Sequence, residues 1–349
     1  MTPRLAAVTT GGAAGGWAMI SRVAQPSPGP AHPEIVRLSL DRYRAGLLAR
    51  RHLLGPAAQR ATGLLLETID AALDRPATMT ADEVRFTATS LTGVGPEELT
   101  AFVNEYTLGV GWDGAPVVVM GTEPAENPDL PEDVAFHALY SVLVAAGSRP
   151  EILDRVVDGT SWLAALPGSW NSRNKRAWHL NPNDFIHVES RRGTPTWKVI
   201  AQVVAPGSAD GWRELLETRL DRTGLGWRAY QIDRSALPAM RSSRGQPPTE
   251  ERIGFLVEVL GSVRETAHVL LLHGFGGAGR WKEWWARDQR LIRTFLGWDE
   301  GQPVELVWRK VGRHSLAVLR DWDRRVVYAR ALNWVGSDYV EAVRAEVHA

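Results

Sequence analysis

The chain has 349 residues, 44% of them hydrophobic and 23% charged, a balance that excludes global disorder, collagen-like repetition and a polytopic membrane protein. Forty Lys and Arg offset forty Asp and Glu, so any recruitment of nucleic acid or acidic membrane must come from a local patch. The absence of cysteine excludes disulfides, thiol nucleophiles, iron–sulfur clusters and cysteine-ligated zinc, and fits a cytoplasmic address.

In chain order, residues 1–33 read as a flexible leader. Its Gly/Ala stretch (Gly11–Gly16) and its PSPGPAHP run (Pro26–Pro33) bury too little apolar surface to offset their ordering entropy. Glycines interrupt its apolar part, unlike the continuous core of a signal peptide. No later segment reaches about 18 uninterrupted apolar residues, so no membrane partner is expected. Residues 34–110 read as a helical N-terminal region. Ile35, Leu38, Leu40, Tyr43, Leu47 and Leu48 approximate one face of a first helix. A second helix is predicted over Ala57–Leu73, ending before Pro76. Thr80, with Glu83 three residues on, is the expected N-cap of a third running toward Leu91. The following Leu91-Thr-Gly-Val-Gly-Pro-Glu-Glu-Leu99 resembles the phosphate-binding hairpin of helix-hairpin-helix modules. Glu97 and Glu98 in its first turn oppose an anion, and favour a plain helix stop at Gly93 with a restart at Pro96.

Residues 111–349 read as an α/β domain. Ala115–Met120 and His268–Leu272 are continuous apolar runs expected as buried strands, while Trp227–Ile232 alternates. Thr196–Val204 is ambiguous between helix and strand. Gln302–Trp308 and Arg325–Tyr328 are further strand candidates, and Thr249–Val263 and Ser337–Val347 are predicted helices. Arg309, Lys310, Arg313, Arg320, Arg324 and Arg325, broken by Asp321 and Asp323, read as a surface helix with charge pairs. The alternation predicts a three-layer α/β/α arrangement around a short, mainly parallel sheet.

Two motifs invite a reading that their context refuses. His268–Trp281 looks like the early strand and oxyanion loop of α/β-hydrolases, but no G-x-S-x-G elbow occurs in the chain. Gly274-Phe-Gly-Gly-Ala-Gly279 matches the dinucleotide expression, yet no second βαβ half follows, and Asp299 and Glu300 stand in a loop-like GWDEGQ. It keeps open a nucleotide- or small-molecule-binding enzyme. His179, Asp184, His187 and Glu189 are close in sequence, but Pro182 keeps them off one helix face, so no metal site is expected, and no cofactor.

Several signals together resemble the uracil-DNA glycosylase superfamily over about residues 112–348. The strand through Val117–Met120 is followed by Gly121-Thr-Glu-Pro-Ala-Glu-Asn127, similar to that family's Gly-x-x-Pro loop. The resemblance puts Glu123 at the water-positioning place, with Gly121, Pro124 and Asn127 around the substrate. Tyr230–Pro238 matches the stretch holding a base-reading polar residue, with Asp233 or Ser235 nearest that place. A third strand then ends at His273-Gly274. Near the final helix start, Gly336-Ser-Asp338, the family carries a His-Pro-Ser-like loop. Here Ala329–Trp334 has neither histidine nor proline, which leaves Asn333 or Arg330 as substitutes. Thr194-Pro-Thr-Trp197 points to the uncharacterised branch of that superfamily.

The resemblance implies either base excision in DNA repair, by a hydrolase, or a non-catalytic DNA- or protein-binding member of the same fold. Glu123 and Asn333 are the catalytic candidates. Arg173, Lys175 and Arg176 beside Trp170 and Trp178, and Arg191 and Arg192 beside Trp197, would hold the backbone of single-stranded or damaged DNA. A solvated loop with cation–π contacts is the competing reading of that basic segment. Most of the 15 tryptophans belong to the core on either reading.

Overall fold

The computed structural model describes residues 31–74, 105–106, 108–109, 111–122, 195–207, 211–212, 215, 224–236, 248–274, 281–332 and 335–349. In chain order they form α1 (Pro33–Arg50), a 3-10 turn (Arg51–Leu53), α2 (Pro56–Asp74), β1 (Val117–Gly121), α3 (Pro195–Val204), the single turn α4 (Leu225–Arg228) and β2 (Ala229–Asp233). They continue with α5 (Glu250–Val263), β3 (Val269–His273), α6 (Trp281–Leu296), β4 (Val307–Val311), β5 (His314–Asp321), β6 (Arg324–Ala329) and α7 (Ser337–His348).

The fold is α/β, with a six-stranded mixed sheet in the order β2-β1-β3-β6-β5-β4. β2, β1, β3 and β6 run parallel, while β5 and β4 return antiparallel along one edge. β1 and β3 are buried along their whole length, which is why they read as unbroken apolar runs. Side chains alternate between two cores. Val118, Met120, Tyr230, Ile232, Leu270, Leu272, Val326 and Tyr328 share one with the apolar faces of α1, α2, α5 and α6. Val117, Val119, Ala229, Leu271, Val327 and Ala329 share the other with α3 and α7.

Local chemistry explains several boundaries. The Thr249 hydroxyl caps α5 by accepting from the Arg252 amide at 3.0 Å, with Glu250 and Glu251 in the favoured first turn. Residues 195–204 are helical, which places Ile200, Val203 and Val204 together against the second core. The fourth strand starts later than the 302–308 expectation, at Val307, after Pro303 has passed in non-strand backbone.

The charge-rich stretch corrects the expectation of a surface helix. Residues 307–329 form an antiparallel meander turning at Gly312-Arg313 and Trp322-Asp323, with left-handed φ of 57° at Gly312 and 51° at Trp322. Its arginines pair across elements rather than along a helix: Arg309 and Arg320 meet Glu346 of α7 at 2.9 and 2.7 Å. β4 is the outer edge, and charged side chains there blunt unwanted strand pairing.

Candidate functional site

The chain leaves β1 toward β2 on one side and later enters β3 on the other, so the connections diverge between β1 and β3. In open α/β sheets the crevice outside the carboxyl ends of strands at such a switch point is where ligands bind. Gly121 ends β1 in register with Asp233 of β2, and His273 ends β3 opposite Ala329 of β6. Gly121 is closely approached there. A Cβ on it would overlap Asp233 Oδ1 and lie 3.7 Å from His273 Nε2, so a carboxylate and an imidazole both approach one bare backbone position. Beyond the strand the pairing continues through Ser235 N to Thr122 O at 2.8 Å. Gly274, at φ +96°, turns the chain against Thr122.

A buried guanidinium joins these ends. Arg234 Nε donates to Gly121 O at 2.9 Å, Nη2 to His273 O at 2.5 Å and Nη1 to Asp288 Oδ2 of α6 at 2.7 Å. Tyr328 of β6 donates its hydroxyl to the same Asp288 oxygen at 2.6 Å, and Trp284 lies 4.8 Å from the Arg234 guanidinium. Burial alone would push the Arg234 pKa down; Asp288 and Tyr328 outweigh it and leave it raised. A second buried arginine, Arg252 of α5, donates to Asp233 O and Glu105 O, both at 2.7 Å. Burial pulls its pKa down to about 10.

His273 differs from the other polar groups of the rim. It is buried, and neither ring nitrogen has a hydrogen-bond partner among the described residues. Burial, and then the Arg234 charge, hold its pKa down to about 3, so the ring stays neutral and offers one donor and one acceptor.

Comparison with protein-family models, curated proteins and solved structures gave no match. The site therefore stands on its geometry. Of the residues singled out in the sequence, Gly121, Asp233, Ser235, His273 and Gly274 lie together at one rim of the sheet. Glu123, Pro124, Asn127, Asn333, Arg173, Lys175, Arg176, Arg191 and Arg192 lie outside the described residues, as do the 91–99 hairpin motif, the 275–279 glycines and the 179–189 polar cluster. The antiparallel register of β5 on β6 also brings Ser315 beside the carboxyl end of β6, at this same rim.

The sequence reading missed Arg234, Asp288 and Tyr328. One signal was available: Asp288 interrupts the apolar stripe Trp284, Leu291, Ile292, Phe295 of α6, and a carboxylate on such a stripe requires a buried partner.

The crowding at Gly121 carries a test. Gly121→Ala is expected to cost about 1–3 kcal/mol of stability by displacing the Asp233 carboxylate. Gly254→Ala, in an open position of α5, is expected to gain about 0.5–1 kcal/mol. Urea unfolding of the pair measures both, and equal stabilities would show that the two side chains do not crowd that glycine.

Proposed function

We propose that the protein recognises a nucleic-acid base and excises it, on a glycosylase-like scaffold whose helices cover both faces of a mainly parallel sheet in three layers. The observation that carries this reading is the convergence of Asp233 and His273 on Gly121, at the strand end that leads directly into Glu123. A neutral imidazole beside a carboxylate matches the mixed donor and acceptor edge of a nucleobase, and a flipped base needs such a buried reader. Glu123 orients a water at the sugar carbon and takes its proton as the C–O bond forms. The glycosidic C–N bond breaks with its electron pair on the base, and Asn333 donates a hydrogen bond to the departing ring.

The absence of histidine and proline from Ala329–Trp334 favours a second reading, a member of the same scaffold that binds DNA or a protein without cleaving. Incubation with oligonucleotides carrying uracil, hypoxanthine or alkylated bases separates the two. Excision predicts abasic sites, and a rate about 100-fold lower or less in Glu123→Gln. Base-selective binding without abasic sites supports the second reading. A melting shift from mononucleotides, with no response to oligonucleotides, would replace both with nucleotide binding at Gly274–Gly279.

A further inference from the structure

β4 pairs with β5 alone, from Val307 against Val318 to Val311 against His314, so its other side is the outer edge of the sheet. Four of its five residues are exposed, and Val307 keeps 74% of its surface in water. Such an edge carries a row of backbone N–H and C=O groups that can template another chain. Every charge from Val307 to Arg313 is positive: Arg309, Lys310 and Arg313. Lys310 and Arg313 form no ion pair among the described residues, and Lys310 Nζ donates to Ser315 Oγ at 2.9 Å.

The side of this edge toward α7 holds an excess of guanidinium. Alternation puts Val307, Arg309 and Val311 on that face, since Arg309 pairs with Leu316, which belongs to the core shared with α7. Arg320, four residues along β5 from Leu316, shares the face and stands directly opposite Arg325 of β6. Like charges at such a pair repel. Glu346 of α7 is the one acid this cluster meets among the described residues. Its carboxylate oxygens lie 2.9 Å from Arg309 Nη2 and 2.7 Å from Arg320 Nη2, and its backbone oxygen accepts from Arg325 Nη1 at 2.5 Å. Three cations thus share one carboxylate. The Arg309 and Arg320 side chains remain 46% and 59% exposed, so a second acid can reach them from solvent.

We propose that the outer edge of β4 docks an acidic, extended segment of a partner protein, which joins the sheet as a further strand. Main-chain hydrogen bonds along the edge supply affinity, and alternate side chains supply specificity. Consecutive side chains of an added strand point to opposite faces. Two adjacent acids therefore reach Arg309 on the α7 side and Lys310 on the other, and an apolar neighbour covers Val307. Nucleic acid fits less well, because a phosphodiester backbone has no donors to match the β4 carbonyls and lies against one face only. A second copy of β4 would set Arg309 and Lys310 against their own kind, so the charges that repel a basic edge select an acidic one. This surface does not rest on the base-recognition reading.

The test is equilibrium binding of the full chain to a labelled Gly-Thr-Val-Asp-Glu-Val-Thr-Gly peptide, with hydrogen exchange on the complex. The same peptide with both acids replaced by lysine, and one N-methylated at alternate amides, are the controls. The acidic peptide is expected to bind and to slow exchange within Val307–Val311, and neither control is expected to do so. Lys310→Glu, whose side chain touches only an exposed hydroxyl, is expected to weaken binding by at least about fivefold through like-charge repulsion. Arg309→Gln is expected to weaken it as well, and Arg37→Gln, on the exposed side of α1, to match the parent. Failure of the parent to bind the acidic peptide overturns the proposal, as do parent-like affinity in Lys310→Glu and protection elsewhere than β4. Equal binding of the N-methylated peptide overturns strand addition, as does displacement of the peptide by oligothymidylate, which would make the edge a polyanion surface.

Discussion

Asp288→Ala is expected to destabilise the protein by about 3–5 kcal/mol in urea unfolding, the largest single-residue effect we predict outside the chemical step. Asp288 and Arg234 are 0% and 1% exposed, and their contact is 2.7 Å, so removing the carboxylate leaves an uncompensated charge in the core. It also takes the acceptor from the Tyr328 hydroxyl. Replacing both charged partners, as Arg234→Met with Asp288→Leu, is expected to recover part of the loss, because no buried charge then remains. The recovery stays incomplete, since Gly121 O and His273 O lose the guanidinium's hydrogen bonds, although Gly121 O keeps the Arg234 amide at 3.2 Å. A cost below about 1 kcal/mol for Asp288→Ala would show that the guanidinium finds water or another acceptor, and that it does not tie the strand ends together.

His273 is expected to make stability pH-dependent in a defined window. Its pKa is about 3 in the folded chain and near the ordinary 6.5 when unfolded, so between these values the unfolded chain binds a proton that the folded chain refuses. The contribution is fully present above about pH 6.5 and declines by about 1.4 kcal/mol per pH unit as pH falls, reaching about 3 kcal/mol by pH 4. Comparing urea unfolding at pH 7.5 and pH 4 in the parent and in His273→Gln isolates this loss from that of the carboxylates. Identical pH dependence in the two proteins would mean that the imidazole is solvated at low pH and is not held neutral by burial and Arg234.

The legible parts of the fold are those where one physical demand dominates. β1 and β3 are covered on both sides, so VVVM and VLLL allow little but aliphatic side chains. Thr249 and the acids after it announce the start of α5. Within the meander β6 was legible at Arg325–Tyr328, but the β4–β5 hairpin was not, because β4 lies at the edge with four of its five residues exposed, and a strand without a buried face shows no alternation. Its arginines suggested helical pairing because Glu346, the acid that two of them meet, stands on α7. Asp233, His273 and Gly121 were legible as strand-end residues. Arg234 was not, because a guanidinium just past a strand ordinarily faces water, and its partner Asp288 lies on a helix far along the chain.

The strand order also constrains when the molecule can fold. Val117 pairs with Ala229 and with Val269, whereas Ala317 pairs with Tyr328 across a two-residue turn. On refolding of the whole chain, loop-closure entropy makes the meander the early, local event. The central strand of the parallel set must wait, unpaired and strongly apolar, until β2 and β3 have been synthesised. During that interval VVVMG is an unpaired apolar segment open to aggregation unless a chaperone covers it.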